Sequence, residues 1–165
     1  MTPRSLTPTS QLPRTLAGRA AGARAASRDL VLLLARVGVG IVFVAHGWQK
    51  FSTNGLDATA ANFEQMGVPA PTLSAYYAAA AELVGGAALI LGLLTSVAGL
   101  LLAMDMAGAF LFVHMTNGVF VSEGGWELVV VLGLSALTLA AVGAGRVSVD
   151  GFVTAGSKGR LAVPA

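Results

Sequence analysis

Residues 76–115 read YYAAAAELVGGAALILGLLTSVAGLLLAMDMAGAFLFVHM, a nearly unbroken apolar run of about 40 residues. A helix rises about 1.5 Å per residue, so about 20 residues cross the hydrocarbon core of a bilayer. The run therefore has the length of two crossings, and the small polar pair Thr95-Ser96 near its middle predicts the connection between them. We predict antiparallel membrane helices over about 76–94 and 97–115, with a single re-entrant hairpin as the alternative.

Two further apolar segments flank this pair, at about 30–51 and 126–142. The first follows a basic region, so a cleaved signal peptide is the competing interpretation. However, this segment is long, contains Arg36 and ends without a small-residue cleavage site, which favours a retained helix. We therefore expect an all-α membrane protein built as a four-transmembrane-helix bundle.

The composition also indicates a surface that faces lipid. Hydrophobic residues make up 55% of the chain and charged residues only 11%, whereas soluble domains carry charge on roughly a quarter of their residues. The 21 glycines lie mostly in the apolar segments, where small residues let membrane helices approach closely. The chain has no cysteine, which excludes disulfides and thiolate-held metal or iron–sulfur centres. The expected surroundings are a lipid bilayer, with no metal site and no intrinsic cofactor.

The basic residues predict the orientation in the membrane. Eight of the ten lysines and arginines lie at the two ends of the chain, namely Arg4, Arg14, Arg19, Arg24, Arg28, Arg146, Lys158 and Arg160. The positive-inside rule then places both termini in the cytoplasm, which requires an even number of spans. We divide the chain into a disordered basic N-terminal tail (1–28), a transmembrane domain (29–146) and a short, mobile C-terminal tail (147–165). The tail arginines are interpreted as topology signals, so no nucleic-acid partner is expected.

Charged residues inside the predicted spans are the main functional signal, because a charge in a membrane helix costs several kcal/mol unless it has a partner. Arg36 on the first span and Asp105 on the third lie at similar depths from the cytoplasmic side. We predict a structural Arg36–Asp105 ion pair that ties these two helices together. The alternative is that Arg36 extends to the cytoplasmic headgroups.

A second polar cluster is predicted in the outer half of the membrane, from His46, Lys50 and Glu82. Gly85 and Gly86 follow Glu82 and would let another helix approach and shield the carboxylate from lipid. Glu82 could pair with His46 or with Lys50, either as a packing device, as a proton-transfer group or as a hydrogen-bond partner for a quinone carbonyl. The first span carries a stripe at three- and four-residue spacing that should line the bundle interior: Arg36, Gly40, Phe43, His46, Gly47 and Lys50.

Two further residues, His114 and Glu127, lie near the outer ends of the third and fourth spans. His114 follows Asp105 by nine residues, which is nearly the opposite face of a regular helix, so we expect a solvated interfacial histidine. The sharper alternative pairs His46 with His114 as axial haem ligands. Glu127 starts the fourth helix, where a negative charge suits the helix dipole, and it could also face Lys50 across the bundle.

Three stretches together resemble the DoxX family of small bacterial membrane proteins. They are RVGVGIVFVAHGWQKF at 36–51, FEQMGVP at 63–69 with ELVGGAALILGLLT at 82–95, and the segment from Met104 through Asp105, His114 and Asn117-Gly118 to Glu127. The resemblance covers about residues 30–142. It implies four transmembrane helices in the inner membrane of a bacterial cell.

The resemblance also implies a role near membrane redox chemistry. The chain would be an accessory or scaffold subunit, more a non-catalytic part of an oxidoreductase complex than an enzyme on its own. A redox protein is then the expected partner and quinone is the expected ligand. Whether the chain also forms a homo-oligomer is left open by the resemblance. The alternative function is a small proton-coupled transporter that uses the Glu82–His46 cluster as a relay. An enzyme that acts alone on a quinone would need a bound cofactor.

Overall fold

A computed structural model describes residues 12–160 of the chain and the side chains of residues 18–156. Within residues 12–160, every regular element is helical. We number six helices: α1 (Leu12–Trp48, extended by a π-helical turn at Gln49–Thr53), α2 (Leu56–Gln65), α3 (Pro71–Leu91, with a π-helical turn at Ala81–Gly85), α4 (Thr95–His114, with a π-helical turn at Phe110–His114), α5 (Glu127–Val142) and α6 (Val149–Arg160). A single 3₁₀ turn at Val121–Glu123 precedes α5.

Each predicted span overlaps one apolar helix. Helices Gly18–Thr53, Pro71–Leu91 and Thr95–His114 are long and apolar enough to cross a membrane. Helix α5 is equally apolar but has only 16 residues, or about 24 Å of helix. The chain is therefore an all-helical membrane protein with three to four helices suited to a bilayer.

Both predicted tails contain helix, although the N-terminal tail was expected to be disordered and the C-terminal tail to be short and mobile. Residues 12–28 continue α1 without a break, and α6 occupies most of the predicted C-terminal tail. The N-terminal extension is rich in Ala, Leu and Arg, which have the highest helix propensities, and a helix lengthens easily once the membrane span has nucleated it. Residues 1–11 and 161–165 of the predicted tails lie outside the described residues.

Glycines set the distance between the helices. A Cβ on Gly40 of α1 would lie 2.7 Å from the carbonyl oxygen of Gly86 on α3, and a Cβ on Gly86 would lie 2.8 Å from that of Gly40. On the other side of the bundle, a Cβ on Gly99 of α4 would lie 2.6 Å from the carbonyl oxygen of Ala136 on α5. The buried core between these contacts includes Phe43, Leu89, Leu102, Ala136 and Leu139.

The start of the α1 span, the α3–α4 turn and the end of α5 meet at one end of the bundle, which we name the basal end. Arg146 Nε, just after α5, lies 2.6 Å from Asp29 Oδ2 on α1. Asp150 at the start of α6 accepts hydrogen bonds from the backbone amides of Leu94 (2.8 Å) and Thr95 (2.9 Å), which begin α4. These bonds cap the turn between the two membrane helices, where Leu94 takes a left-handed conformation with φ 47°.

The predicted Arg36–Asp105 ion pair is wrong. Arg36 is buried at the basal end, where Nη1 donates to Ile90 O at 3.3 Å and Nη2 donates to Val147 O. Ile90 belongs to the last turn of α3, whose carbonyl groups lack helical partners and attract a cation. Asp105 lies ten residues into α4, about 15 Å farther along the bundle than its start at Thr95. Arg36 therefore closes the basal end, and Asp105 contributes to a different part of the protein.

Substitution of Gly40 by Val should destabilise the bundle, because the new side chain meets the backbone of α3. Overpacking of this kind typically costs about 1–3 kcal/mol. Gly38→Val is the matched control, since a Cβ there has no neighbour within 4 Å. The measurement is unfolding in detergent by SDS titration, followed through the fluorescence of Trp48 and Trp126. Equal loss of stability in the two variants would contradict the close-contact interpretation.

Asp150 should make stability depend on pH. Burial alone would raise its pKa, but the amide hydrogen bonds from Thr95 and Leu94, together with the charge of Arg36, lower the pKa below its ordinary value of 3.8. A depressed folded-state pKa stabilises the protein above the unfolded pKa and loses that effect as the pH falls through the folded one. The stability difference between the wild type and Asp150→Asn should thus be full at pH 7 and shrink below about pH 3.8 in thermal melts. A difference that is constant with pH would contradict this role.

Candidate ligand-binding cavity

A cavity of about 290 Å³ lies between α3 and α4 at the end of the bundle opposite the basal end, covered by α2 and the loop that follows it. This volume is at the small end of the range for ligand sites and suits a single ring system. Its polar lining comes from Lys50, Ser74, Tyr77, Glu82, Asp105 and His114. Its apolar walls include Phe63, Val68, Pro69, Met104, Met106 and Phe112.

An ion pair forms one wall of the cavity. Lys50 Nζ on the π turn of α1 lies 2.6 Å from Glu82 Oε2 on α3, with side-chain exposures of 21% and 3%. Of the two partners that the sequence left open for Glu82, the structure selects Lys50. A short, charge-assisted hydrogen bond of this kind offsets much of the cost of placing a carboxylate within a membrane helix.

Asp105 adds a second buried carboxylate to the same cavity. Its residue exposure is 9%, and among the described residues no side chain or amide forms a hydrogen bond with its carboxylate, since the Lys50 ammonium group is bonded to Glu82. The nearby Tyr77 hydroxyl donates to Leu101 O at 3.3 Å instead. The cavity therefore holds two carboxylates and one ammonium group, so Asp105 is available to a ligand or a proton.

Three of the ionisable residues of the cavity lie in π-helical turns. Lys50 belongs to Gln49–Thr53, Glu82 to Ala81–Gly85, and His114 to Phe110–His114. A π turn widens the helix by one residue and rotates everything beyond it; such turns are rare and occur often at functional sites. Three of them converging on one cavity indicate that this region is shaped for binding.

The π turn in α4 explains why the sequence analysis placed His114 on the wrong face. Nine residues after Asp105 would be the opposite side of a regular α-helix. In the structure both residues line the cavity, because the π turn changes the helical phase between them. His114 Nδ1 lies 2.6 Å from Gly124 O, so the histidine also holds the loop before α5.

The remaining predicted site residues lie apart from the cavity lining. His46 Nδ1 lies 2.9 Å from Val42 O of its own helix, so the structure does not bring it into the cavity with Lys50 and Glu82. Glu127 Oε1 accepts a hydrogen bond from Val121 N at 2.8 Å and so fixes the loop before α5 rather than facing Lys50.

Tyr77 and the α2 residue Phe63 were missed as cavity residues from sequence. Tyr77 lies at the start of the second predicted span, where aromatic residues are common at the membrane interface. It precedes Glu82 by five residues, which a regular α-helix would separate by about 140°. With the π turn at Ala81–Gly85 and with α2 returning over the helix ends, Phe63, Tyr77 and Glu82 line the same cavity.

Removal of Lys50 should destabilise the protein more than removal of its partner Glu82. Lys50→Met leaves a buried carboxylate without a counter-charge, which typically costs about 3–5 kcal/mol. Glu82→Gln leaves a lysine that can reach water, so the loss should be smaller. Arg146→Ala, which removes the exposed basal pair with Asp29, serves as the control and should cost less than about 1 kcal/mol. SDS unfolding of each variant measures this order, and equal losses from Lys50→Met and Arg146→Ala would contradict it.

Comparison with known proteins places the chain in one group. The sequence model of the DoxX family matches residues 31–115. The chain is 36% identical over 132 residues to the Bacillus subtilis protein named "Putative oxidoreductase CatD", covering 80% of this chain and 93% of that one. It is 35% identical over 127 residues to an uncharacterised membrane protein of Mycobacterium tuberculosis (70% and 76% covered) and 33% identical over 126 residues to an uncharacterised protein of Haemophilus influenzae (74% and 90% covered). No solved structure matches it. With a family match over more than half of its length and relatives of this similarity, the chain belongs to the DoxX family of membrane proteins.

Proposed function

We propose that the protein is an accessory subunit of a membrane redox complex, and that its cavity holds the headgroup of a lipid-soluble, quinone-like molecule. The observation that carries this proposal is the cavity itself, in which Lys50, Glu82 and Asp105 lie among aromatic and methionine side chains inside apolar helices. The name of the Bacillus subtilis relative supports a link to oxidoreduction.

The chemistry of the lining suits such a headgroup. The Lys50 ammonium can donate a hydrogen bond to a ring carbonyl, and the Asp105 carboxylate can accept one from a ring hydroxyl after reduction. Phe63, Phe112 and the methionines supply flat and adaptable apolar contacts for the ring. Conversion between the two forms moves two electrons and two protons. Asp105 would exchange one of these protons and the Lys50 ammonium group the other, while a partner protein would supply or accept both electrons.

Access from the lipid supports a membrane-soluble ligand. Tyr77 on α3 and Met104 on α4 line the cavity and are also 42% and 62% exposed on the outside of the bundle. A molecule dissolved in the bilayer could therefore enter sideways between these two helices without crossing water.

We further propose four crossings, with both termini in the cytoplasm of a bacterial cell and the cavity in the outer half of the inner membrane. The basal contacts support it: Asp29 on α1 and Arg146 after α5 meet at the same end of the bundle, which an even number of crossings requires. The arginines at that end follow the positive-inside rule. Helix α5 has 16 residues, and Trp126 at its N-cap is an aromatic residue of the kind enriched at membrane interfaces.

The alternative is a small proton-coupled transporter. Two neighbouring carboxylates and one lysine inside the membrane favour it, since such groups recur in proton pathways. A relay through Glu82 and His46 has weaker support, because the His46 ring is bonded to its own helix. Proton uptake into sealed vesicles that contain the pure protein would favour transport over the accessory role.

Mild-detergent purification from native membranes tests the proposal with three forms of the protein. Gly108 lines the cavity and a Cβ there has no neighbour within 4 Å, so Gly108→Phe should fill the cavity without disturbing the helices. Gly38→Phe, equally open but on α1 away from the cavity, is the matched control. Mass spectrometry identifies co-purifying proteins, and solvent extraction with chromatography measures bound quinone.

The wild type and Gly38→Phe should carry a redox enzyme in stoichiometric amount together with quinone. Gly108→Phe should keep the partner and lose at least about tenfold of the quinone, because the ring would have no space. A wild type that purifies alone would contradict the accessory role, and equal quinone in all three forms would contradict the cavity as its site.

A further inference from the structure

The apolar residues of α6 lie on one face of the helix, and this face is exposed rather than packed against the protein. Its apolar residues Val149, Phe152 and Val153 fall within about 100° of the helix circumference and are 38%, 73% and 65% exposed. The other face turns toward the protein, where a Cβ on Gly151 would lie 2.6 Å from Arg146 O. The helix thus contacts the bundle through Asp150 and Gly151 at its start, whereas residues 152–156 are exposed and the apolar side faces outward.

The attachment of α6 fixes it at the level where the membrane helices end. Helix α3 ends at Leu91 and α4 begins at Thr95, so the turn between them marks a membrane boundary. Asp150 is bonded to this turn three times: its carboxylate accepts from Leu94 and Thr95, and its amide donates to Gly92 O at 2.9 Å. Phe152 follows two residues later, about 3 Å along the helix axis.

Lipid is the covering that fits this position. An apolar face of this kind is unfavourable in water, whereas the boundary between headgroups and acyl chains accommodates it. The same helix continues in sequence to Lys158 and Arg160, and no acidic residue follows Asp150. Apolar residues on one face together with cationic residues are typical of helices that lie on anionic membrane surfaces.

We propose that α6 is an interfacial anchor that lies in the plane of an anionic bilayer surface, with Phe152 and Val153 among the upper acyl chains. The positive charge that the sequence carries at Lys158 and Arg160 favours an anionic surface. The anchor is independent of the proposed ligand cavity, which lies at the opposite end of the bundle. It connects the lipid surface to the α3–α4 turn through Asp150.

Site-directed spin labelling tests this directly, because the chain has no cysteine. Single cysteines are placed at Phe152, at Thr154 on another face of the same helix, and at Ser27 on the exposed N-terminal part of α1 as a water reference. Each labelled protein is reconstituted in nanodiscs of phosphatidylcholine with phosphatidylglycerol, and again in phosphatidylcholine alone. Power saturation with oxygen and with a water-soluble nickel chelate then reports the depth of each label.

The label at 152 should be protected from the nickel chelate at least about threefold relative to the labels at 154 and 27. Its depth should be roughly 5–10 Å below the phosphates. The protection should weaken in phosphatidylcholine alone, since the basic end then has no anionic partner. Equal nickel access at 152 and 27 would overturn the proposal, as would protection at 152 that appears only when another protein is added. Protection that does not depend on phosphatidylglycerol would overturn the anionic-surface part.

Discussion

The close approach of α1 and α3 is the constraint on which the remaining structure depends. Gly40 and Gly86 bring the two backbones into contact near the middle of the bundle, and farther along a Cβ on Gly47 would lie 2.7 Å from Leu83 N. At this separation the Lys50 side chain reaches Glu82 on the facing helix at 2.6 Å. Larger residues at these glycines would separate the two charges and leave both facing lipid. Small residues, which add little apolar area themselves, therefore determine whether the charged residues can be accommodated.

The two ends of the bundle use charge differently. At the basal end, Arg36 and Asp150 bind backbone groups and Asp29 pairs with Arg146, so each of these side chains has a partner within the protein and the turn between α3 and α4 is capped. At the cavity end, the Asp105 carboxylate accepts no hydrogen bond from the described residues. The arrangement at the basal end stabilises the fold, whereas the arrangement at the cavity end leaves the Asp105 carboxylate for another molecule. Binding sites are expected to depart from optimal stability in this way.

The helical class of the fold and the buried stripe of α1 could be predicted from the sequence, because they depend on the length and spacing of apolar residues. The apolar runs located the C-terminal ends of the long helices to within a few residues, but α1 begins at Leu12 rather than near residue 30. The stripe from Arg36 to Lys50 correctly predicted that Gly40, Phe43 and Gly47 are buried. It failed where local geometry departs from a regular α-helix or where a charge finds a backbone partner. Arg36 donates to backbone carbonyl groups, and a pattern of side chains cannot predict such partners. His114 shares a face with Asp105 because of a π turn. Helix α2 covers the cavity, but it lies in a polar segment whose sequence gives only a weak helical signal, so its position depends on tertiary contacts.

The π turns have a consequence for how this family can diverge. Each one is equivalent in geometry to a single residue inserted into an α-helix. Loss of one residue from Phe110–His114 would leave α4 long and apolar enough for the membrane, yet it would rotate His114 by about 100° relative to Asp105. Gain or loss of a cavity therefore requires no new helix and no new packing arrangement. Within one bundle architecture, single-residue insertions and deletions could separate members that bind a ligand from members that serve only as scaffolds.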